Sequence, residues 1–151
     1  MPTAIVDIAP LTTTEAAVLA LLTIEGERSG YDLMKAVTQA IGHIWTPARS
    51  GLYAALPRLV HAGLAHSRSV TQSTRPDKQV YRVSREGRRA LKDWLESVEP
   101  GARDTFFLKL FVGRLTTVDV LLRHIDQFVA DTEGRLAGYR EIEQTNSNTG
   151  D

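Results

Sequence analysis

The 151-residue sequence contains no cysteine. This absence excludes disulfide bonds, thiol nucleophiles and cysteine-ligated zinc sites, and it suits a chain that works in a reducing compartment. No apolar run approaches the roughly 20 residues needed to cross a bilayer. The first residues also lack the basic segment and apolar stretch of a signal peptide. We therefore predict a cytoplasmic protein without a membrane span.

Motifs of catalysis are also missing from the sequence. It has no G-x-S-x-G and no glycine-rich phosphate loop, which are the short signatures of common hydrolases and nucleotide enzymes. Of the four histidines, only His61 and His66 lie close together in sequence, and two histidines without a third ligand are a poor zinc site. We predict that the protein is not an enzyme and that it needs no metal or cofactor.

Net charge is zero, but the charges are unevenly distributed. Residues 49–92 hold ten Lys or Arg and two Asp or Glu, a net charge of +8, whereas residues 1–48 carry −3 and residues 93–151 carry −5. A basic segment between acidic flanks is typical of a chain with one face that meets a polyanion. The alternative is that these charges are scattered over a solvated surface.

Three helices are predicted in the first half, after an extended arm at residues 1–10. Thr12, Thr13 or Thr14 can cap a helix over 16–24, with Glu15 near its positive end. The segment 25–30 reads as a turn. Ser29 then caps a second helix that Gly42 ends.

The stretch "SGLYAALPRLVHAGL", Ser50–Leu64, predicts a third helix with a defect. Ser50 is its expected cap and Gly63 its expected stop. One face is apolar, formed by Leu52, Leu56, Leu59 and Val60. Pro57 lies about two turns in, where it removes an amide donor at a cost of about 3 kcal/mol. We predict a bend at Pro57; the alternative is a short turn followed by a separate helix.

The hydrophobic periodicity of the sequence changes after Gly63, from that of a helix to that of strands. Residues 64–70 and 79–84 alternate like strands, separated by the polar tip 71–78 with Arg75 and Lys78, and they predict a hairpin. Ser84 caps another helix. Its shared apolar face is formed by Leu91, Trp94, Leu95 and Val98. The break at 99–101 marks a domain boundary.

Two further helices are predicted beyond the break. Asp104 caps a short apolar one over 105–112, and Thr116 or Thr117 begins the last and longest. Along it, seam residues step alternately by four and three: Val118, Leu122, Ile125, Val129, Thr132, Leu136 and Tyr139. This spacing is typical of helices that pair, and it predicts a partner subunit. Gly134 and Gly138 weaken the far end, and 146–151 should be a frayed polar tail.

The order helix, helix, helix, hairpin, helix predicts a mainly α protein, with a winged helix-turn-helix and two-stranded wing at 11–99 and a helical dimerisation region at 103–145. In that fold the third helix enters the major groove of DNA, and the hairpin lies over the neighbouring backbone or minor groove.

The stretches "SGYDLMKAV", "IWTPARSGLYAALPRLVHAGL" and "RPDKQVYRVSREGRRALKDWL" resemble the PadR family of bacterial transcriptional regulators over residues 15–98. "DTFFLKLFVG" and the long last helix are similar to the dimerisation region of its larger subgroup. The resemblance implies a homodimeric repressor of a palindromic operator, often released by a small phenolic or aromatic effector. It also implies a recognition helix at Ser50, Gly51, Leu52, Tyr53 and Arg58 and a wing over 68–82.

Three groups of candidate site residues follow. Those expected at DNA are Tyr31, Arg49, Ser50, Gly51, Tyr53, Arg58, Arg68, Arg75, Lys78 and Arg82. Those expected in the dimer are Phe107, Phe111, Leu121, Leu122, Ile125, Phe128, Val129 and Leu136. His43 and Trp45 precede the recognition helix and are candidates for an effector site, although Trp45 could simply fill the gap between the two domains.

Two other functions remain open at this level. The basic face could bind an acidic protein partner, as winged-helix interaction modules do. A helical dimer that stores a ligand or acts as a chaperone would bind small molecules without affecting DNA.

Overall fold

The computed structural model describes residues 10–43, 45–98 and 103–149 and divides the chain into two compact units, Met1–Glu96 and Ser97–Asp151. Most of the predicted N-terminal arm, together with Ile44 of the connector and the predicted break at 99–101, lies outside the described residues.

Four helices build the first unit: α1 (Thr13–Glu25), α2 (Gly30–Ile41), α3 (Arg49–His61) and α4 (Arg85–Glu96).

The predicted cap of α1 is confirmed at Thr12. Its hydroxyl accepts a bond from the Glu15 amide at 3.1 Å, while the Glu15 carboxylate accepts one from the Thr12 amide at 3.1 Å. This reciprocal pair satisfies two of the amides that a helix start leaves without partners. At α2, Ser29 Oγ accepts from the Asp32 amide, as predicted.

Helix α3 begins two residues earlier than predicted, at Arg49 rather than after a cap at Ser50. Its N-cap is Ala48, which has no side-chain cap bond, and Ser50 is already helical, so the prediction of Ser50 as cap is wrong. Pro57 lies inside this single helix, which excludes the alternative of two separate segments; the bend itself stays a prediction. Because Pro57 is exposed, the ring needs no space in the core.

The end of α3 confirms Gly63 as the stop. Gly63 has a φ of 75°, a left-handed conformation that glycine adopts without steric cost. The Gly63 amide donates to Val60 O at 3.0 Å and the Leu64 amide to Leu59 O at 2.9 Å. These two bonds are the Schellman arrangement, and they direct the chain straight into the next strand.

A three-stranded antiparallel sheet follows, in the order β1-β3-β2. Strands β2 (Ala65–Val70) and β3 (Lys78–Val83) form the predicted hairpin, with Lys78 in the strand rather than at the tip. Strand β1 (Arg28–Ser29) lies where the sequence predicts only a turn, because a two-residue strand has no detectable period. Ser29 ends β1 and caps α2, so wing and helix join without a linker.

The core of the first unit surrounds α1, whose residues 16–22 are all buried. Large side chains from the other helices pack on it and are almost fully buried: Leu33, Leu52, Leu56, Leu59 and Leu95. Helix α4 lies very close to the backbone at Leu64. A Cβ at Gly87 would be only 2.0 Å from the Leu64 carbonyl oxygen.

The side chain of Ser84 connects the two backbone segments that meet here. Its hydroxyl donates to Gly63 O at 2.6 Å and accepts from the Gly87 amide at 2.9 Å. One buried side chain therefore ties the end of α3 to the start of α4, and its predicted capping role is confirmed.

The second unit contains α5 (Arg103–Phe111), a 3-10 turn (Gly113–Leu115) and α6 (Val118–Asn148). Thr117 caps α6 as predicted, accepting from the Val120 amide at 3.3 Å. Asp104 lies within the first turn of α5, so its predicted place as cap is wrong.

Helix α6 also continues past residue 145 to Asn148, so the frayed tail predicted from residue 146 is wrong over its described part. Hydroxyls in this polar stretch turn inward: Thr145, Ser147 and Thr149 donate to carbonyls four residues back at 2.7–2.9 Å. These bonds occupy side chains that would otherwise compete for the helix backbone. No helix among the described residues is both long and apolar enough to cross a membrane.

Candidate nucleic-acid interface

The outer face of α3 is exposed along its whole length. Leu52, Ala55, Leu56 and Leu59 are buried against the core, which turns the opposite face outward. That face carries five of the predicted recognition residues, and all five are exposed: Arg49, Ser50, Gly51, Tyr53 and Arg58. The sixth, Leu52, is on the buried face.

The first turn of α3 differs in charge from those of the other described α-helices. Each of the others has an acidic residue in its first turn: Glu15, Asp32, Glu86, Asp104 and Asp119. Helix α3 has none, begins with Arg49 and lacks a side-chain cap. A helix start offers free amides and partial positive charge to an anion. Here that electrostatic potential is reinforced by a cation.

Gly30 and Tyr53 join the starts of α2 and α3. A Cβ at Gly30 would lie 2.8 Å from Tyr53 Cε1 and 3.1 Å from Leu56 Cδ1, so the tyrosine ring rests directly on the glycine. Tyr53 nevertheless remains 41% exposed, and the adjacent Tyr31 is 63% exposed. Both predicted tyrosines are therefore accessible.

The strand register places the wing's basic side chains on one face. His66 is paired with Arg82, Arg68 with Val80 and Val70 with Lys78, and directly paired residues point to the same side of a sheet. Val80 is buried and anchors this face, while the cations around it are exposed. Arg75 lies in the exposed loop between the strands.

One of these cations is already paired. Arg68 Nε and Nη2 donate to the two carboxylate oxygens of Glu27 at 2.9 and 2.5 Å. The hydrogen bond from Arg68, helped by the positive charges of Arg68 and Arg82, lowers the pKa of Glu27, and Glu27 in turn raises the pKa of Arg68. The pair is fully present at neutral pH and is lost as the pH falls through the lowered pKa of the carboxylate.

Glu27 is a residue that sequence reasoning missed. It lies 41 residues from Arg68, and no local period or motif links the two. The same holds for the contact of Gly30 with Tyr53. Helix α4 adds the exposed Arg85, Arg88, Arg89 and Lys92, opposite its buried Leu91 and Leu95.

The candidate effector residues lie on the connector between α2 and α3. His43 is exposed and Trp45 half-buried. The Trp45 amide donates to Ile41 O at 2.9 Å, and the buried Pro47 follows. These contacts fix the path into α3. His61 and His66 are both exposed, and within the described part of the chain no group of three or more His, Asp or Glu could hold a metal ion.

The predicted dimer residues divide into two sets. Phe128 stacks on Phe106 with ring centroids 4.0 Å apart, Phe107 meets Phe128 edge-on at 6.0 Å, and Leu121 packs over Gly113. The other set is exposed, formed by Phe111, Leu122, Ile125, Val129 and Leu136.

Comparison with known proteins gives two family matches. Residues 18–93, half of the chain, match the model of the "Transcriptional regulator PadR-like family". Residues 102–151 match a second model, "Virulence activator alpha C-term".

Two curated relatives match part of the chain. The negative transcriptional regulator PadR of Bacillus subtilis is 33% identical over 98 residues, 63% of this chain and 53% of that protein. A probable transcriptional regulator of Mycobacterium tuberculosis is 34% identical over 71 residues, 47% of this chain and 38% of that protein. The chain thus spans about half or less of the relatives it matches.

Among solved structures, this chain is similar to Bacillus subtilis PadR in complex with operator DNA. The TM-score is 0.56 and the identity 25%, with 92% of this chain and 78% of the other covered.

Proposed function

This chain belongs to the PadR-like family of transcriptional regulators, and from that premise we propose that it represses transcription by binding operator DNA as a homodimer. In this proposal α3 enters the major groove and the β2–β3 hairpin lies along the adjacent backbone. The family consists of regulators, not enzymes.

The observation that carries the proposal is the start of α3. Free first-turn amides, no first-turn carboxylate and the exposed Arg49 form a surface suited to phosphate. Arg58, on the same outer face, is the candidate for reading a guanine edge. Support also comes from the relative solved with operator DNA.

Homodimerisation is proposed from the seam of α6. Val118, Leu122, Ile125 and Val129 are 37–70% exposed, although their spacing is that of a buried seam. A second copy offers the same stripe, and a two-fold interface is complementary to itself. Two recognition helices would then face half-sites about 34–36 Å apart on a palindromic operator.

We also propose release by a small aromatic effector acting at His43 and Trp45. A ligand that prefers one connector conformation would shift the population of dimers away from the DNA-binding one. Replacing Trp45 with Leu tests this. Normal induction by aromatic acids in a variant that still binds DNA would exclude the site.

The main experiment measures binding to labelled random and genomic duplexes by fluorescence anisotropy between about 50 and about 200 mM salt. Affinity should fall steeply with salt, with a log–log slope of about −0.9 for each phosphate neutralised. Lys78→Gln should weaken binding to all sequences about equally, whereas Arg58→Gln should relax base preference. Arg123→Gln removes the same charge from the exposed outer side of α6 and serves as control.

A salt-independent signal, or no binding to any duplex, would contradict the proposal. Tight binding of an acidic protein without DNA binding would instead favour the interaction module.

A further inference from the structure

Glu27 is a carboxylate set among the cations of the wing. It lies two residues after the end of α1, and both of its carboxylate oxygens accept bonds from the guanidinium of Arg68. Two parallel bonds from one guanidinium are also the geometry in which arginine binds phosphate. The hydrogen-bonding edge of Arg68 is therefore occupied by an anion before any DNA arrives.

The pair is accessible, not buried. The side chain of Arg68 is 62% exposed and that of Glu27 30%. Exposed ion pairs are weak and screened by salt, so an incoming phosphate can displace the carboxylate. The positive charge of Arg82 also lowers the pKa of Glu27. A second cation of the wing therefore stabilises the charged carboxylate.

We propose that Glu27 occupies Arg68 in place of a DNA phosphate and thereby limits the affinity of the wing for DNA. This inference rests on the proposed DNA binding. When a phosphate takes over Arg68, Glu27 stays nearby as a negative charge next to the DNA backbone. Glu27 therefore opposes binding twice, by competing for the guanidinium and by repelling the phosphate.

A different role for Glu27 makes the opposite prediction. If the pair serves mainly to position β2 against the turn that follows α1, its loss would leave the wing less ordered and weaken binding. The sign of the change in affinity separates the two roles.

The test compares Glu27→Gln, Arg68→Gln and the double variant in the full chain, using a random duplex and a salt titration. Glu27→Gln should bind about three- to tenfold tighter at low salt, and its log–log slope should steepen by up to about 0.9, the value for one complete phosphate contact. Arg68→Gln alone should weaken binding, because it leaves the Glu27 carboxylate without its counter-charge. In the double variant most of the gain should disappear, because only the loss of the repulsion remains once the guanidinium is absent.

Glu25→Gln is the matched control. Glu25 lies two residues away with a similarly exposed side chain, and it pairs with Arg28 rather than with a cation of the hairpin. Its loss should change affinity by less than about twofold, since a charge in solvent is largely screened beyond roughly 10 Å.

Three results would overturn the inference. Equal or weaker binding by Glu27→Gln would mean that the pair of Glu27 and Arg68 serves mainly to position β2. A gain as large in the double variant as in Glu27→Gln would mean that Arg68 is not the residue released. A wild-type chain that binds no DNA would remove the proposed function and this inference with it, whereas the first two results leave the proposed function intact.

Discussion

The first unit and helix α6 use apolar residues in opposite ways. In the first unit, α1 buries seven consecutive residues, 16–22, among its own helices and sheet. In α6, 31 residues long, only Val120 and His124 are buried, while its seam faces outward. The first unit is closed within one chain, and α6 has an apolar surface that one chain leaves uncovered. Stability should therefore be intramolecular in one region and depend on protein concentration in the other.

Of the changes considered, truncating a core side chain should have the largest effect on stability. Leu19 is fully buried, so Leu19→Ala should lower the free energy of unfolding by about 2–5 kcal/mol through lost burial and a cavity. Urea denaturation measures it. The loss should be the same at every protein concentration. A loss that grew on dilution would contradict a core closed within one chain.

Charges placed in the seam should have the next largest effect. Leu122→Asp combined with Val129→Asp puts two carboxylates on the apolar stripe, and the dissociation constant of the proposed dimer should rise at least about 100-fold, which corresponds to about 2.7 kcal/mol. Sedimentation equilibrium measures it. Ala130→Asp adds a charge to an exposed neighbour outside the seam and should leave the dimer intact. Dimers that survive the double substitution would place the interface elsewhere.

Removing the Ser84 hydroxyl should have a smaller effect on stability than the core truncation. It would leave Gly63 O and the Gly87 amide without their partner, lowering the free energy of unfolding by about 1–2 kcal/mol. Thermal unfolding measures the change. The exposed Ser73 is the control, and Ser73→Ala should stay within about 0.5 kcal/mol. Equal effects at the two serines would contradict the role of Ser84 as the link between the end of α3 and the start of α4.

Replacing a glycine with alanine should change stability least, and the sign of the change should depend on the position of the glycine. Gly134 and Gly138 have open space around them, so each change to Ala should stabilise α6 by about 0.8–1 kcal/mol through helix propensity. Gly26 also has open space but a φ of 81°, so Gly26→Ala should destabilise α1. Circular dichroism during thermal unfolding checks both signs. A gain at Gly26 would mean that its backbone relaxes without cost.

Sequence patterns predicted the features that depend on neighbouring residues. Ser29, Ser84 and Thr117 act as caps because capping needs one side chain and an amide three residues on, and the hairpin follows from alternation. Features set by distant residues could not be predicted: strand β1 needs β3 to pair with, Glu27 needs Arg68, and Gly30 needs Tyr53. The continuation of α6 to Asn148 was missed because a polar composition does not show hydroxyls turned toward the helix backbone.

The junction at Arg28, Ser29 and Gly30 has a mechanical consequence. Within three residues the chain leaves a strand bonded to β3, starts α2 and supports the ring of Tyr53. A tilt of the hairpin should therefore be transmitted through this junction to Tyr53 near the start of α3. If α3 and the hairpin bind DNA as proposed, a duplex with an unusual groove width should shift both elements together, and the affinity should depend on DNA shape.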